Sequence, residues 1–137
     1  MNNNKIKNLI NEECEYQYLR THKAYKYAKD VIDGKIVAGK YIKKECQRFL
    51  DMVDNPESKY YKKYFIKEKV VKKITNILKI TNFATGEFAG TSCYEQVAGF
   101  QWYILINVYS VFHRDNPKKR RYEKACVFIS RRFCGFC

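Results

Sequence analysis

Apolar residues recur along this chain at helical spacing in three stretches, each bounded by residues that stop helices. Between about Cys14 and Ile32, Tyr16, Leu19, Ala24, Tyr27, Ala28 and Val31 fall on one broad side of a helical wheel. Lys23, Lys26 and Lys29 are distributed around it, and Asp33-Gly34 supplies the stop, because glycine tolerates the left-handed conformation that ends helices. After a connector over 35–39, a second helix is predicted over about Lys40 to Val53. Ile42, Cys46, Phe49, Leu50 and Val53 share one face there, with Lys43, Lys44, Gln47 and Asp51 elsewhere. Asp54-Asn55-Pro56 breaks the pattern, since proline restricts its predecessor and cannot continue a helix.

The third periodic stretch begins after Tyr60, Tyr61 and Tyr64: Ile66, Val70, Ile74, Ile77 and Leu78 predict a helix over about Ile66 to Asn82. Residues 81–96 hold Gly86, Gly90, Thr91 and Ser92 and read as a loop tucked down by Phe83, Phe88 and Tyr94. From Phe100 to Phe112 nearly every residue is apolar, which predicts a helix buried on most sides, ended by His113 to Pro117. A short strand is predicted over about Ala125 to Ile129. An unpaired apolar strand edge favours association, so limited solubility or self-association is expected. The polar, asparagine-rich residues 1–14 are expected to be flexible.

The length of 137 residues suits one domain with a packed core. No apolar run approaches the roughly 20 residues of a membrane span, and residues 1–8 lack the apolar core of a signal peptide. The chain is therefore read as cytoplasmic, with no membrane partner. Six cysteines at irregular positions, without a secretory signal, are read as reduced thiols.

A net charge of +13 favours an anionic partner, although the abundance of Lys, Asn, Ile, Tyr and Phe also matches an AT-rich coding bias. Eight lysines lie between Lys59 and Lys79, against one glutamate. Lys62, Lys63, Lys69, Lys72 and Lys73 are the candidates for tracking a phosphate backbone; equally, they form a solvated face over a core stripe.

Candidate chemistry is sparse. Cys134 and Cys137 have C-x-x-C spacing, but structural zinc generally takes four ligands and no second pair matches. His113 is read as a helix-terminal cap rather than a metal ligand. No metal site and no catalytic residue is assigned. The Gln101 amide presents one donor and one acceptor, complementary to the N7 and N6 edge of adenine. A glutamine at a helix start also satisfies backbone groups.

Three phrases carry a resemblance. Ala28 to Gly39 reads AKDVIDGKIVAG and leads to Cys46-Gln47-Arg48-Phe49-Leu50-Asp51; Gln101 stands between Phe100 and Trp102; and Lys118-Lys119-Arg120-Arg121-Tyr122 precedes the predicted strand. This order resembles the large terminase subunits of tailed bacteriophages, motors that package viral DNA, over roughly residues 15–132. In that family a glutamine beside an aromatic residue precedes a long helix, a basic turn, a strand and an R-K-N-G-K-[ST]-like phosphate loop. Ser130-Arg131-Arg132 stands where that loop would begin.

The resemblance implies a mainly α chain: a helical N-terminal segment with a connecting loop over 15–96, then the start of a P-loop-type α/β ATPase domain over 97–132. That domain would here be incomplete, comprising the glutamine motif, a buried helix and the first strand. Gln101 would face adenine, and Arg131 and Arg132 would pair with phosphates, although both also read as a solvated tail. Phe133 to Cys137 departs from the pattern: Gly135 is followed by neither lysine nor hydroxyl, so the chain reads as a truncated motor. The complete parent would use ATP and magnesium, and would engage double-stranded DNA, a portal and a small terminase subunit in a bacterial host. This chain lacks the phosphate-loop lysine, the paired magnesium acids and the nuclease acids, so no activity and no strong nucleotide binding are expected of it alone. The alternative is a stand-alone basic helical module that binds nucleic acid or a phage or host protein.

Overall fold

The computed structural model describes Asn4 and residues 16–128. Seven helices and one two-stranded antiparallel sheet make up the described residues, a mainly helical fold. In chain order they are α1 (Gln17–Thr21), α2 (Lys23–Ile32), α3 (Lys40–Asp54), α4 (Lys59–Lys63), β1 (Tyr64–Ile66), α5 (Glu68–Ile80), α6 (Cys93–Gln96), α7 (Gly99–Ser110) and β2 (Val111–His113).

The first predicted helix is two. Tyr16 opens α1 in the left-handed region at φ 51°, strained for a side chain with a Cβ. Burial holds it there: the ring is fully buried and its hydroxyl accepts the Ile66 amide N–H at 3.1 Å. The chain then turns extended at His22, whose Nδ1 accepts the Ala24 amide N–H and so caps α2. The apolar stripe runs through the break undisturbed, so periodicity alone did not show it.

At the other end of α2, Gly34 takes φ 79°, the Lys35 N–H bonds the Asp30 carbonyl at 2.9 Å and the Gly34 N–H bonds that of Val31. These paired bonds satisfy carbonyls the helix leaves open, as the Asp33-Gly34 stop predicts.

Helix α2 packs against α3 on one side and α7 on the other. From α3 come Cys46, Phe49, Leu50, Met52 and Val53, whereas Ile42 stays 45% exposed. A salt bridge from Arg20 to Asp54 and a 2.7 Å bond from the Tyr25 hydroxyl to the same carboxylate tie α1 and α2 to the end of α3. They are exposed and contribute little.

Helix α7 is apolar around its whole circumference, yet only Trp102, Ile106 and Ser110 are fully buried. These sit four residues apart, on the stripe that meets α2 and α5. Gly99 starts the helix where it meets α2, and a Cβ there would lie 3.4 Å from the Tyr27 Cβ.

The strands depart from the sequence expectation. Residues 125–128 of the predicted Ala125–Ile129 strand are exposed and form no strand, while Ile129 lies outside the described residues. A β-branched run forms a strand only where a partner edge accepts its backbone groups, and none among the described residues pairs with this one. Such an edge exists instead for Val111–His113, with Val111 and Phe112 predicted to continue the preceding helix and His113 to end it. Tyr64 pairs with His113, Phe65 with Phe112 and Ile66 with Val111. On the far side of β2, Arg120 bridges Phe112, the His113 N–H bonds the Lys119 carbonyl and the Arg121 N–H bonds that of Val111. His113 is thus a strand residue, 5.0 Å from the Tyr64 ring, and not a helix cap.

The sheet is antiparallel; a parallel α/β sheet of P-loop type does not occur among the described residues. No helix among them is long and apolar enough to cross a membrane.

Candidate functional site

Two regions carry the sequence-predicted binding residues, and they are built differently. The first surrounds Gln101, in the first turn of α7. Ala98 precedes that helix and has no side-chain oxygen to cap it. Gln101 fills the role by reaching back: its Oε1 accepts the Ala98 N–H at 2.9 Å. The glutamine is exposed, and its Nε2 donors have no partner among the described residues.

Gln101 also stands on the rim of an open apolar groove of about 650 Å³. Phe83, Phe88 and Phe100 supply aromatic walls, with Leu78 and Leu105 beneath. The loop that brings the two phenylalanines is held shut at its neck: the Phe83 N–H bonds the Thr91 carbonyl at 3.0 Å and the Gly90 N–H bonds that of Phe83 at 2.9 Å. Ser92 then caps α6 by accepting the Tyr94 N–H, and its hydroxyl donates toward the terminal α5 carbonyls of Leu78 and Lys79. A flat ring with a hydrogen-bonding edge has both apolar walls and an amide available here. Arg131 and Arg132 lie outside the described residues, as do Cys134 and Cys137.

The second region is a basic lobe around the sheet. Arg114 follows β2 and turns its guanidinium under α4, where Nε donates to the carbonyls of Tyr61 and Tyr64 and the group lies 4.6 Å from the Tyr61 ring centre. Arg121 is 4.8 Å from both Tyr64 and Tyr122. Lys67 sits 3.9 Å over Phe112 and donates to the Pro117 carbonyl. These cations hold the 114–122 loop against the sheet through ring faces and carbonyls rather than through carboxylates.

The predicted lysines divide between this lobe and another surface. Lys62 and Lys63 end α4 inside it, with Lys62 3.6 Å from Glu57 and Lys63 5.4 Å over Tyr64. Lys69, Lys72 and Lys73 lie on α5, exposed, with Lys72 5.3 Å over Tyr18. Sequence reading missed Arg114 and Arg121 as partners of the tyrosines. Roughly 50 residues separate the two groups, and the β1–β2 pairing brings them together.

A cleft of about 330 Å³ adjoins the lobe between Tyr103, Asn107, Tyr122 and Lys124. Burial, then the neighbouring Cys46, pushes the Tyr103 phenol far above its ordinary range, and burial raises the Cys46 thiol to about 11. Both groups stay protonated at neutral pH. Among the described residues no three His, Cys, Asp or Glu side chains come together as a metal site.

No protein-family model, curated protein or solved structure matches this chain.

Proposed function

We propose that this chain forms the entry portion of a large-terminase-like DNA-packaging ATPase, in which Gln101 recognises the adenine of ATP. The motif order AKDVIDGKIVAG, Phe100-Gln101-Trp102 and Lys118 to Tyr122 supports the reading. The observation that carries it is the position of Gln101: its amide stands beside Phe83, Phe88 and Phe100 on an apolar groove, with both Nε2 donors unengaged. Adenine offers a flat apolar face to such walls, an acceptor at N7 to an amide N–H, and an N6 donor to the second lone pair of Oε1. The phosphate and magnesium chemistry of the parent motor would come from residues this sequence does not contain, so hydrolysis is not expected of the chain by itself.

Titration with fluorescent ATP and GTP analogues tests this. Weak binding that favours adenine over guanine, and that falls on Gln101→Ala with the fold intact, is the expected result. Equal binding of both bases, or binding unchanged by the substitution, overturns it.

A second reading is a basic helical module that binds nucleic acid. The concentration of cations around the two-stranded sheet favours it, with phosphate neutralisation as the driving force.

A further inference from the structure

We propose that the lobe around the two-stranded sheet is a single-stranded nucleic-acid site, with the phosphate backbone crossing the 118–121 loop and one unstacked base entering the cleft between Tyr103 and Tyr122. The proposal rests on the nucleic-acid reading and adds to it where the strand lies and why it must be single.

The charge argument begins with two stretches that are separate in sequence. Residues 59–67 hold four lysines and no carboxylate; residues 114–124 hold Arg114, Lys118, Lys119, Arg120, Arg121 and Lys124 against Asp115 and Glu123. The β1–β2 pairing and the Arg120–Phe112 bridge bring both stretches to one end of the molecule. Their electrostatic fields add there, which neither stretch achieves alone.

The cations do not serve one purpose. Arg114 and Arg121 are half-buried and spent on carbonyls and tyrosine rings, so they shape the lobe. Lys118, Lys119 and Arg120 are exposed on the loop those arginines hold in place. Lys119 has only the exposed Glu123 at 3.7 Å, and Arg120 rests 5.3 Å over Tyr109, itself 43% exposed. A positioned loop of exposed cations binds phosphates without first paying to order itself.

Lys69, Lys72 and Lys73 are also exposed, but they lie on α5, outside the β1–β2 pairing that gathers the other cations, and Lys72 stands 5.3 Å over Tyr18 of α1. The tertiary structure therefore separates two groups of lysine that the sequence presents as one run.

The cleft decides the form of nucleic acid. Tyr103, Tyr122, Ile104 and Val108 line its volume of about 330 Å³, room for a planar base, and the Tyr103 ring is held as a fixed wall by Tyr27 at 5.5 Å and Phe49 at 5.4 Å. The Asn107 Nδ2 donates to the Tyr103 carbonyl at 2.8 Å, which fixes the amide, and Oδ1 takes no donor among the described residues. Glu45 on the same wall is paired with Arg48. An acceptor beside aromatic walls receives a base edge only when that base has left its stack, which single strands allow at little cost.

Fluorescence anisotropy with a labelled 15-nucleotide single strand and a duplex of the same sequence tests the proposal, on the unaltered chain and two triple variants. K118A/K119A/R120A is expected to weaken single-strand binding at least about tenfold and to reduce the salt slope by about 2. K69A/K72A/K73A removes the same charge and is expected to cost less than about threefold if the lobe is the site. Equal losses in the two variants overturn the proposal, because they report diffuse charge. Duplex bound as tightly as single strand overturns it too, because the cleft then plays no part. Binding that survives the loop variant overturns the site while leaving the nucleic-acid reading intact; no binding by the unaltered chain overturns both. If the loop variant changes the circular dichroism spectrum, photocrosslinking of an iodouracil-substituted strand to the unaltered chain decides. Crosslinks to Tyr103 or Tyr122 uphold the site, and crosslinks confined to α5 remove it.

Discussion

The His22 imidazole and the Thr75 hydroxyl, 53 residues apart in sequence, meet at 3.0 Å in the core. One protonation state satisfies the imidazole and the hydroxyl together. The His22 Nδ1 accepts the Ala24 N–H, so Nε2 carries the proton and donates to Thr75 Oγ1, which donates in turn to the Val71 carbonyl at 2.8 Å. The Trp102 ring stands edge-on at 4.9 Å and closes the site to solvent.

A neutral, buried imidazole makes stability depend on pH. Burial, then the charges of Lys23 and Lys79, lowers His22 from 6.5 to about 4. Between those values the unfolded chain binds a proton that the folded chain excludes, so the contribution is complete above pH 6.5 and lost as pH falls toward 4. Its full extent is about 3 kcal/mol. Urea midpoints followed by Trp102 emission should fall across this window, and His22→Asn should flatten the dependence. A midpoint constant from pH 7 to 4.5 contradicts the assignment.

Tyr16→Phe should cost about 1–2 kcal/mol, because it leaves the Ile66 N–H buried without its acceptor. The loss should appear as a lower urea midpoint at unchanged slope, with faster hydrogen exchange at the Ile66 amide. Unaltered exchange there would show that the phenol oxygen is not the acceptor.

Arg114→Lys is not a conservative change in this fold. Both carbonyl bonds come from Nε, with the guanidinium 4.6 Å from the Tyr61 ring centre, and lysine has a methylene where arginine has Nε. A loss of about 1.5–3 kcal/mol is expected, concentrated in exchange at 64–66 and 111–113 rather than in α2 and α3. Equal loosening throughout would mean that the lobe does not open separately.

Two glycines should respond differently to alanine. Gly34 has open space around a Cβ but holds φ 79°, so Gly34→Ala should cost about 1 kcal/mol. Gly99 has an ordinary φ and a Cβ would make normal contact with Tyr27 at 3.4 Å, so Gly99→Ala should change stability by less than about 0.5 kcal/mol. Thermal midpoints of the two variants separate strain from crowding.

Thiol labelling at pH 8 should discriminate strongly between cysteines. Cys126 is exposed, whereas Cys46 is fully buried with its thiol raised to about 11. Peptide mapping should find Cys126 modified well before Cys46, which reacts only on unfolding. Early modification of Cys46 would show that α3 and α7 part readily.

The helices were legible in the chain because their signals are local. Ala24, Ala28 and Val31 in α2, the Cys46, Phe49, Leu50 and Val53 face of α3, and the Asp33-Gly34 stop need only spacing and φ preference to be read. Gln101 was legible as a helix-start residue that satisfies a backbone group, and the structure adds the phenylalanine-lined groove beside it. Tertiary contact decided the rest. Val111 to His113 leave the helix because the Tyr64–Ile66 edge accepts their backbone groups, while Ala125 to Phe128, with similar β preference, find no such edge among the described residues. The helix breaks at His22 under a continuous apolar stripe, where Thr75 and Ala24 satisfy its ring. Strand pairing and buried hydrogen bonds need partners that lie dozens of residues away, and a periodicity read within one segment carries no record of them.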